Sequence, residues 1–357
     1  MALDRFKLLY DWGVSKDILS QNPNLTTEQI DLLYKTREED IMENLGRYPK
    51  LTEEQFMRYY NESDFLDLKY LSRNPHLTTE QIDLLYETEG ASKNKLAQWA
   101  KLTEEQFMRF FKDKDVKKPI LSYNSNLTTE QIDFLYDYAN DYVESNPYDD
   151  VKRFLVLKSK LTDEQFMRFF NDKDLPNRKL AKNPHLTPEQ IDLLYQTVQG
   201  VNEKSLAMNP KLTEKQFMRF FNDEDFNKDY LASNSNLTTE QIDLLYQTEG
   251  VDKDQLARFP KLTNEQFMRL FNEGQNQNAD LLFYLAQNPN LTPKQIDLLY
   301  DAGSDKESLA QYPKLTDEQF LRAFNDGLKY KLLLTKNPSI NAPANKPFAS
   351  GVFNWSW

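Results

Sequence analysis

Apolar residues recur along this chain in one pattern that returns every two dozen residues or so. A Leu-Thr-x-x-Gln block starts at Leu25, Leu51, Leu77, Leu102, Leu127, Leu161, Leu186, Leu212, Leu237, Leu262, Leu291 and Leu315. The steps are 24 to 26 residues, apart from one of 34 and one of 29. Pro338-Ser339-Ile340 keeps the register as a decayed thirteenth copy, and Phe6 to Tyr10 reads as the end of a copy before the first. Two flavours alternate. One reads QIDLLY (Gln29 to Tyr34), the other EQFMRYYN (Glu54 to Asn61), so a pair of about 51 residues is present six times.

The block is a helix start. Thr26 is placed to be the N-cap and Gln29 the third helical residue, which makes a reciprocal capping box. Leu25 before the cap and Ile30 after it form a hydrophobic staple, and Pro188 and Pro293 fall on the first helical position, where proline is tolerated. The repeated Gln is therefore read as structural. As it supplies only the reciprocal bond, its loss is expected to cost less than loss of the Thr. Ile30, Leu33 and Tyr34 share one helix face, as do Phe56, Tyr59 and Tyr60. Asn61, Asn171, Asn222, Asn272 and Asn325 follow these helices and suit left-handed C-terminal caps.

A shorter helix precedes each block. Its marker is a leucine six residues upstream, from Leu19 and Leu45 through Leu96 and Leu206 to Leu309, with Leu334 at the same place in the decayed copy. Asn22-Pro23, Asn74-Pro75 and Asn183-Pro184 end it, because the residue before proline avoids the α region. The expected fold is all-α: a right-handed α-α superhelix, or solenoid, of about 12–13 helix-turn-helix units of ~25 residues over residues 1–340, with a non-repeat tail at 341–357. Helices about 8–10 Å apart would spread twelve units along an arc of roughly 100 Å.

The chain resembles the leucine-rich repeat variant proteins, a bacterial family, through units such as Gly-Val-Ser-Lys-Asp-Ile-Leu-Ser-Gln-Asn-Pro-Asn-Leu-Thr-Thr-Glu-Gln-Ile-Asp-Leu-Leu at 13–33. The Asn-Pro-x-Leu turn before an acidic, leucine-containing helix is the specific part. The resemblance covers residues 1–340 and implies alternating α and short, 3₁₀-like helices; it implies no activity. Thr in place of a proline-rich cap, and a more aromatic core, depart from the family and favour a more fully α first helix.

Charge and chemistry narrow the function. The 357 residues carry 44 Lys and Arg against 56 Asp and Glu, a net charge of −12, which disfavours broad binding to phosphate backbones or anionic membranes. There is no cysteine, so disulfides, thiol catalysis and cysteine metal sites are excluded, and a reducing cytoplasm fits. Asp4, Arg5 and Lys7 interrupt any signal-like apolar run, and no apolar stretch is long enough to span a membrane. His76 and His185 are distant turn residues, no serine has a histidine partner, and no Gly-rich loop opens a helix. Catalysis, cofactors and metals are not expected.

Three features carry binding readings. The seventh residue after each block leucine alternates apolar and cationic, through Arg58, Arg109, Phe134, Arg168, Arg219, Arg269 and Arg322 among others. It is either an outward docking stripe or a set of arginines paired with Asp31, Asp83, Asp133, Asp192, Asp243 and Asp297. The insertion at 137–150 interleaves Asp137, Asp141, Glu144, Asp149 and Asp150 with Tyr138, Tyr142 and Tyr148, suited to a basic, partly apolar partner. A second insertion, Asn272 to Asn278, reads as a longer turn. The tail ends in Phe353, Trp355 and Trp357, as a cap on the last apolar face or a self-association segment. The leading expectation is a non-enzymatic protein-binding scaffold for a partner with a basic surface. Its concrete form is a bacterial or phage inhibitor mimicking nucleic-acid charge. The alternative is a single-stranded nucleic-acid reader using the arginine row, with an enzyme as a remote third.

Overall fold

The computed structural model describes residues 4–62, 65–141, 149–197 and 202–340. Among them are twenty-five α-helices and one 3₁₀ helix (Asn177–Lys182), and no strand. The first helix of each unit is thus α almost throughout. The long helices run Thr27–Tyr34, Glu53–Glu62, Thr79–Glu87 and onward to Asp317–Asn325, each followed by a short one such as Glu39–Arg47, Phe65–Leu71 or Lys93–Trp99.

Each long helix starts as the pattern requires. Thr26 Oγ1 accepts from Gln29 N–H at 3.3 Å while Thr26 N–H donates to Gln29 Oε1 at 3.0 Å. The same box closes at Thr238–Gln241 and at Thr316–Gln319. All the marker leucines, Leu19 to Leu334, are buried with Ile30, Leu33, Phe56 and Tyr59 in one continuous core. The left-handed caps do not form. Asn61, Asn222, Asn272 and Asn325 lie inside their helices, and Asn171 is right-handed. Among the described residues only Arg37 and glycines take positive φ, because short turns such as Asp223–Asn227 let the chain leave the helix extended.

Side-chain amides stitch one unit to the next. Asn74 Nδ2 donates to the carbonyls of Gly46 and Pro49, and Asn337 repeats the bonds to Ala310 and Pro313. In the long layer, Gln106 Nε2 donates to Thr79 O and Asp83, and Gln81 Nε2 to Glu53 Oε2 at 2.7 Å. Successive short helices approach closely along most of the array, whereas successive long helices are bridged mainly by side chains. In a curved stack the layer with the closer spacing lies inside the bend, so the short helices are termed the concave layer and the aromatic-rich long helices the convex one.

The two ends of the array meet. Arg5 donates to Asp317 Oδ1 at 2.7 and 3.0 Å, to Ser339 O at 2.8 Å and to Leu315 O at 3.0 Å. Its guanidinium lies 5.1 Å from the Phe320 ring centre. Trp12 packs edge-on against Phe324, and Lys331 Nζ sits 3.1 Å from the Trp12 ring centre. This junction keeps the internal register. Arg5-Phe6-Lys7-Leu8-Leu9-Tyr10 aligns with Gln29-Ile30-Asp31-Leu32-Leu33-Tyr34. Arg5 on Asp317 thus repeats Gln81 on Glu53, and Trp12 on Phe324 repeats Tyr138 on Phe111. The helix Arg5–Asp11 therefore serves as the long helix that follows the turn Asn337–Ile340, and one unit is shared between the two ends. The open arc expected from helix spacing gives way to a closed circuit of contacts.

Candidate binding surfaces

The arginine row is committed internally. Arg58 pairs with Asp31, Arg109 with Asp83, Arg219 with Asp192 and Arg269 with Asp243. Arg168 reaches Asp133 and Asp137, and Arg322 takes Asp301 at 2.6 Å while Gln319 holds Asp297. Each guanidinium also stacks on the tyrosine of the preceding long helix, as Arg109 does on Tyr86 at 4.2 Å and Arg322 on Tyr300 at 3.8 Å. Most apolar members of the row are half-buried, Phe134 between Phe107 and Phe111; Leu298 is 40% exposed. The row forms an inter-helix brace. Its physical basis is the wide spacing of the long helices, which only a long planar cation spans while covering a ring.

The same tyrosines close a second brace. Tyr86 donates to Asp113, which also accepts from Lys93 at 2.8 Å. Burial and then the Asp113 carboxylate push the Tyr86 phenol up to about 12. The Lys93 and Tyr86 hydrogen bonds hold Asp113 down at about 2. Tyr136 with Asp172, Tyr195 with Asp223, Tyr246 with Glu273 and Tyr300 with Asp326 repeat the bond. At the Lys93 position one unit carries Glu203, whose carboxyl is raised by burial and by nearby Asp223.

The start of the acidic insertion is helical: the helix Thr129–Asp141 runs into it, and another begins at Asp149. Asp137 pairs with Arg168, and Tyr138 packs edge-on against Phe111 at 4.9 Å. Tyr142, Glu144 and Tyr148 lie outside the described residues, as do the side chains of Asp141, Asp149 and Asp150. Asn272 to Asn278 is mostly not a turn either: the helix runs on to Asn276, with Gly274 tight against Leu282. Phe353, Trp355 and Trp357 lie outside the described residues. Burial, then neighbouring lysines, lowers the basicity of His76 and His185, which leaves both neutral at neutral pH.

Two surfaces went unread in the sequence. Because the long helices run parallel, the exposed Glu28, Glu54, Glu80, Glu105, Glu130 and Glu164 share one edge of the convex layer. The concave layer instead collects cations: Arg47, Lys69, Arg73 and Lys95 on three consecutive short helices or their ends, and Arg178, Lys179 and Lys182 without an acid on the 3₁₀ helix. For Arg47, Lys69, Arg73, Arg178 and Lys182 the signal was available as the residues two before or two after a marker leucine, which point away from the core; Lys95 and Lys179 stand one before. No group of three potential metal ligands occurs, and no helix is long and apolar enough to cross a membrane, among the described residues. Comparison of the chain with models of known families, with curated proteins and with solved structures finds no match.

Proposed function

We propose that the chain is a non-catalytic protein-binding scaffold: a right-handed helical-repeat solenoid of the leucine-rich repeat variant type, curled until its ends meet. Its partner is a protein with a basic surface. The observation that carries this is the partition of charge in the convex layer. Row arginines such as Arg58, Arg109 and Arg219 are consumed by internal aspartates, while first-turn glutamates such as Glu54, Glu80 and Glu105 face solvent along one edge. The macrodipole alone favours acids at these positions, so the edge acts as a docking field without any cost to the fold. Acting as a bacterial or phage inhibitor that imitates a nucleic-acid phosphate row is the specific form of this reading.

The test is capture from bacterial lysate on the immobilised chain, beside a variant with Glu54, Glu80, Glu105 and Glu130 replaced by Gln. Basic proteins that bind the parent, elute with salt and are lost by the variant support the reading. Captured proteins indifferent to both salt and the four substitutions would refute it. The internal pairing of Arg58 to Arg322 with aspartates weighs against the phosphate track on which the single-stranded nucleic-acid alternative first rested.

A further inference from the structure

The concave layer carries a cluster that the repeat does not require. Arg47 and Arg73 each stand two residues after a buried leucine, Leu45 and Leu71, and Lys69 stands two before Leu71. At about 100° per residue these positions point roughly opposite the core. Lys95 joins them from the adjacent short helix. Its basicity is lowered by burial and then by Arg73, Arg47 and Lys69, with no carboxylate among the causes. Arg47, Lys69 and Arg73, from the two preceding units, thus each repel the Lys95 ammonium. The neighbouring carboxylate, Glu43, lies 3.5 Å from Arg73.

Aromatic rings flank the cluster. The Arg47 guanidinium lies 4.9 Å from the Tyr48 ring centre, and Trp99, in the position equivalent to Tyr48, is 41% exposed. Successive short helices about 8–10 Å apart set these cations along a track that a polymer strand can follow. Net negative charge does not oppose this, because the field at a concave surface follows the local charges rather than the total.

We propose that this concave face is a binding site for single-stranded nucleic acid, with Arg47, Lys69, Arg73 and Lys95 taking phosphates and Trp99 and Tyr48 stacking on bases. Exposed rings beside cations favour single strands over a duplex, whose bases are already stacked, and over an acidic peptide, which has no bases to stack. The site lies on the layer opposite the acidic edge, so either proposal can fail alone.

The experiment measures fluorescence anisotropy of labelled oligo-dT and oligo-U, of a duplex and of polyglutamate, between about 50 and 200 mM salt. The full chain is compared with Lys69→Gln/Lys95→Gln, with Trp99→Ala and with a convex-layer control, Lys215→Gln/Lys294→Gln. Single strands should bind at low salt. The Lys69/Lys95 pair should flatten the logarithmic salt slope by about 1.4, at ~0.7 for each lost contact. Trp99→Ala should weaken binding roughly tenfold, and the control should leave it unchanged. Thermal melting of the Lys69/Lys95 variant should not fall, since it relieves repulsion, which separates lost binding from lost folding. No binding at low salt, equal loss in the control, or tighter binding of duplex or polyglutamate would overturn the proposal.

Discussion

Replacing Arg5 with Ala tests whether the ends are joined by the contacts described. The side chain is 6% exposed and gives four hydrogen bonds to three acceptors. Asp317 is more than a third exposed, so water replaces that pair at little net cost. Ser339 O and Leu315 O lose a buried charged donor, at about 1.5 kcal/mol each. The closing junction should therefore weaken by about 3 kcal/mol, or roughly a hundredfold in the closed-to-open ratio. Each repeat packs only on its neighbours, so the effect stays local. Hydrogen exchange should accelerate at 5–12 and 328–340 and hold at 239–276, and small-angle scattering should show a larger radius of gyration. Arg5→Lys, which keeps the charge but cannot reach all three acceptors, should fall between. Unchanged exchange at both ends, or uniform loss of protection along the chain, would refute the reasoning.

Thr238→Ala should cost about 1 kcal/mol in chemical denaturation. Gln266→Ala should cost about 2 kcal/mol, because Gln266 also donates to Thr239 O and Asp243 across helices; a smaller loss than Thr238→Ala would show that only the cap matters. Asp113 is held at about 2 in the fold, so its stabilising contribution is complete above about pH 4 and lost as pH falls toward 2. Asp113→Asn should therefore flatten the acid limb of stability against pH. Tyr86, raised to about 12, contributes below pH 10 and loses that contribution as pH rises through 12; its ultraviolet titration should move down in Asp113→Asn. Burial, then Asp252 and Asp280, raises Asp254 to about 6, and its Oδ1 is buried without a partner. Its ionisation thus removes stability as pH rises from about 4 to 6. Asp254→Asn should raise the melting temperature at pH 7 and not at pH 4; no gain at pH 7 would show that water relieves the charge.

What the sequence determined by itself was most of what is set within a few residues, the asparagine caps and the turn at Asn272 to Asn278 excepted. The capping box at Thr26 and Gln29, the buried marker leucines and the two alternating helix flavours follow from hydrogen bonds and periodicity inside one unit, and Phe6 to Tyr10 was already legible as a partial copy. Only the tertiary structure decided what lies one unit or the whole chain away. Whether Arg109 meets Asp83 or a partner depends on the distance between long helices, which sequence spacing does not encode. The start of the insertion became helix because Asp137 and Tyr138 found Arg168 and Phe111 in neighbouring units. The meeting of Arg5 with Asp317 is further still from local reading. It depends on a small rotation per unit accumulated over the array, and no single repeat shows whether that sum closes. The concave cluster around Lys95 has the same origin: curvature brings Arg47, Lys69 and Arg73 onto one face, and along the sequence they are only scattered cations.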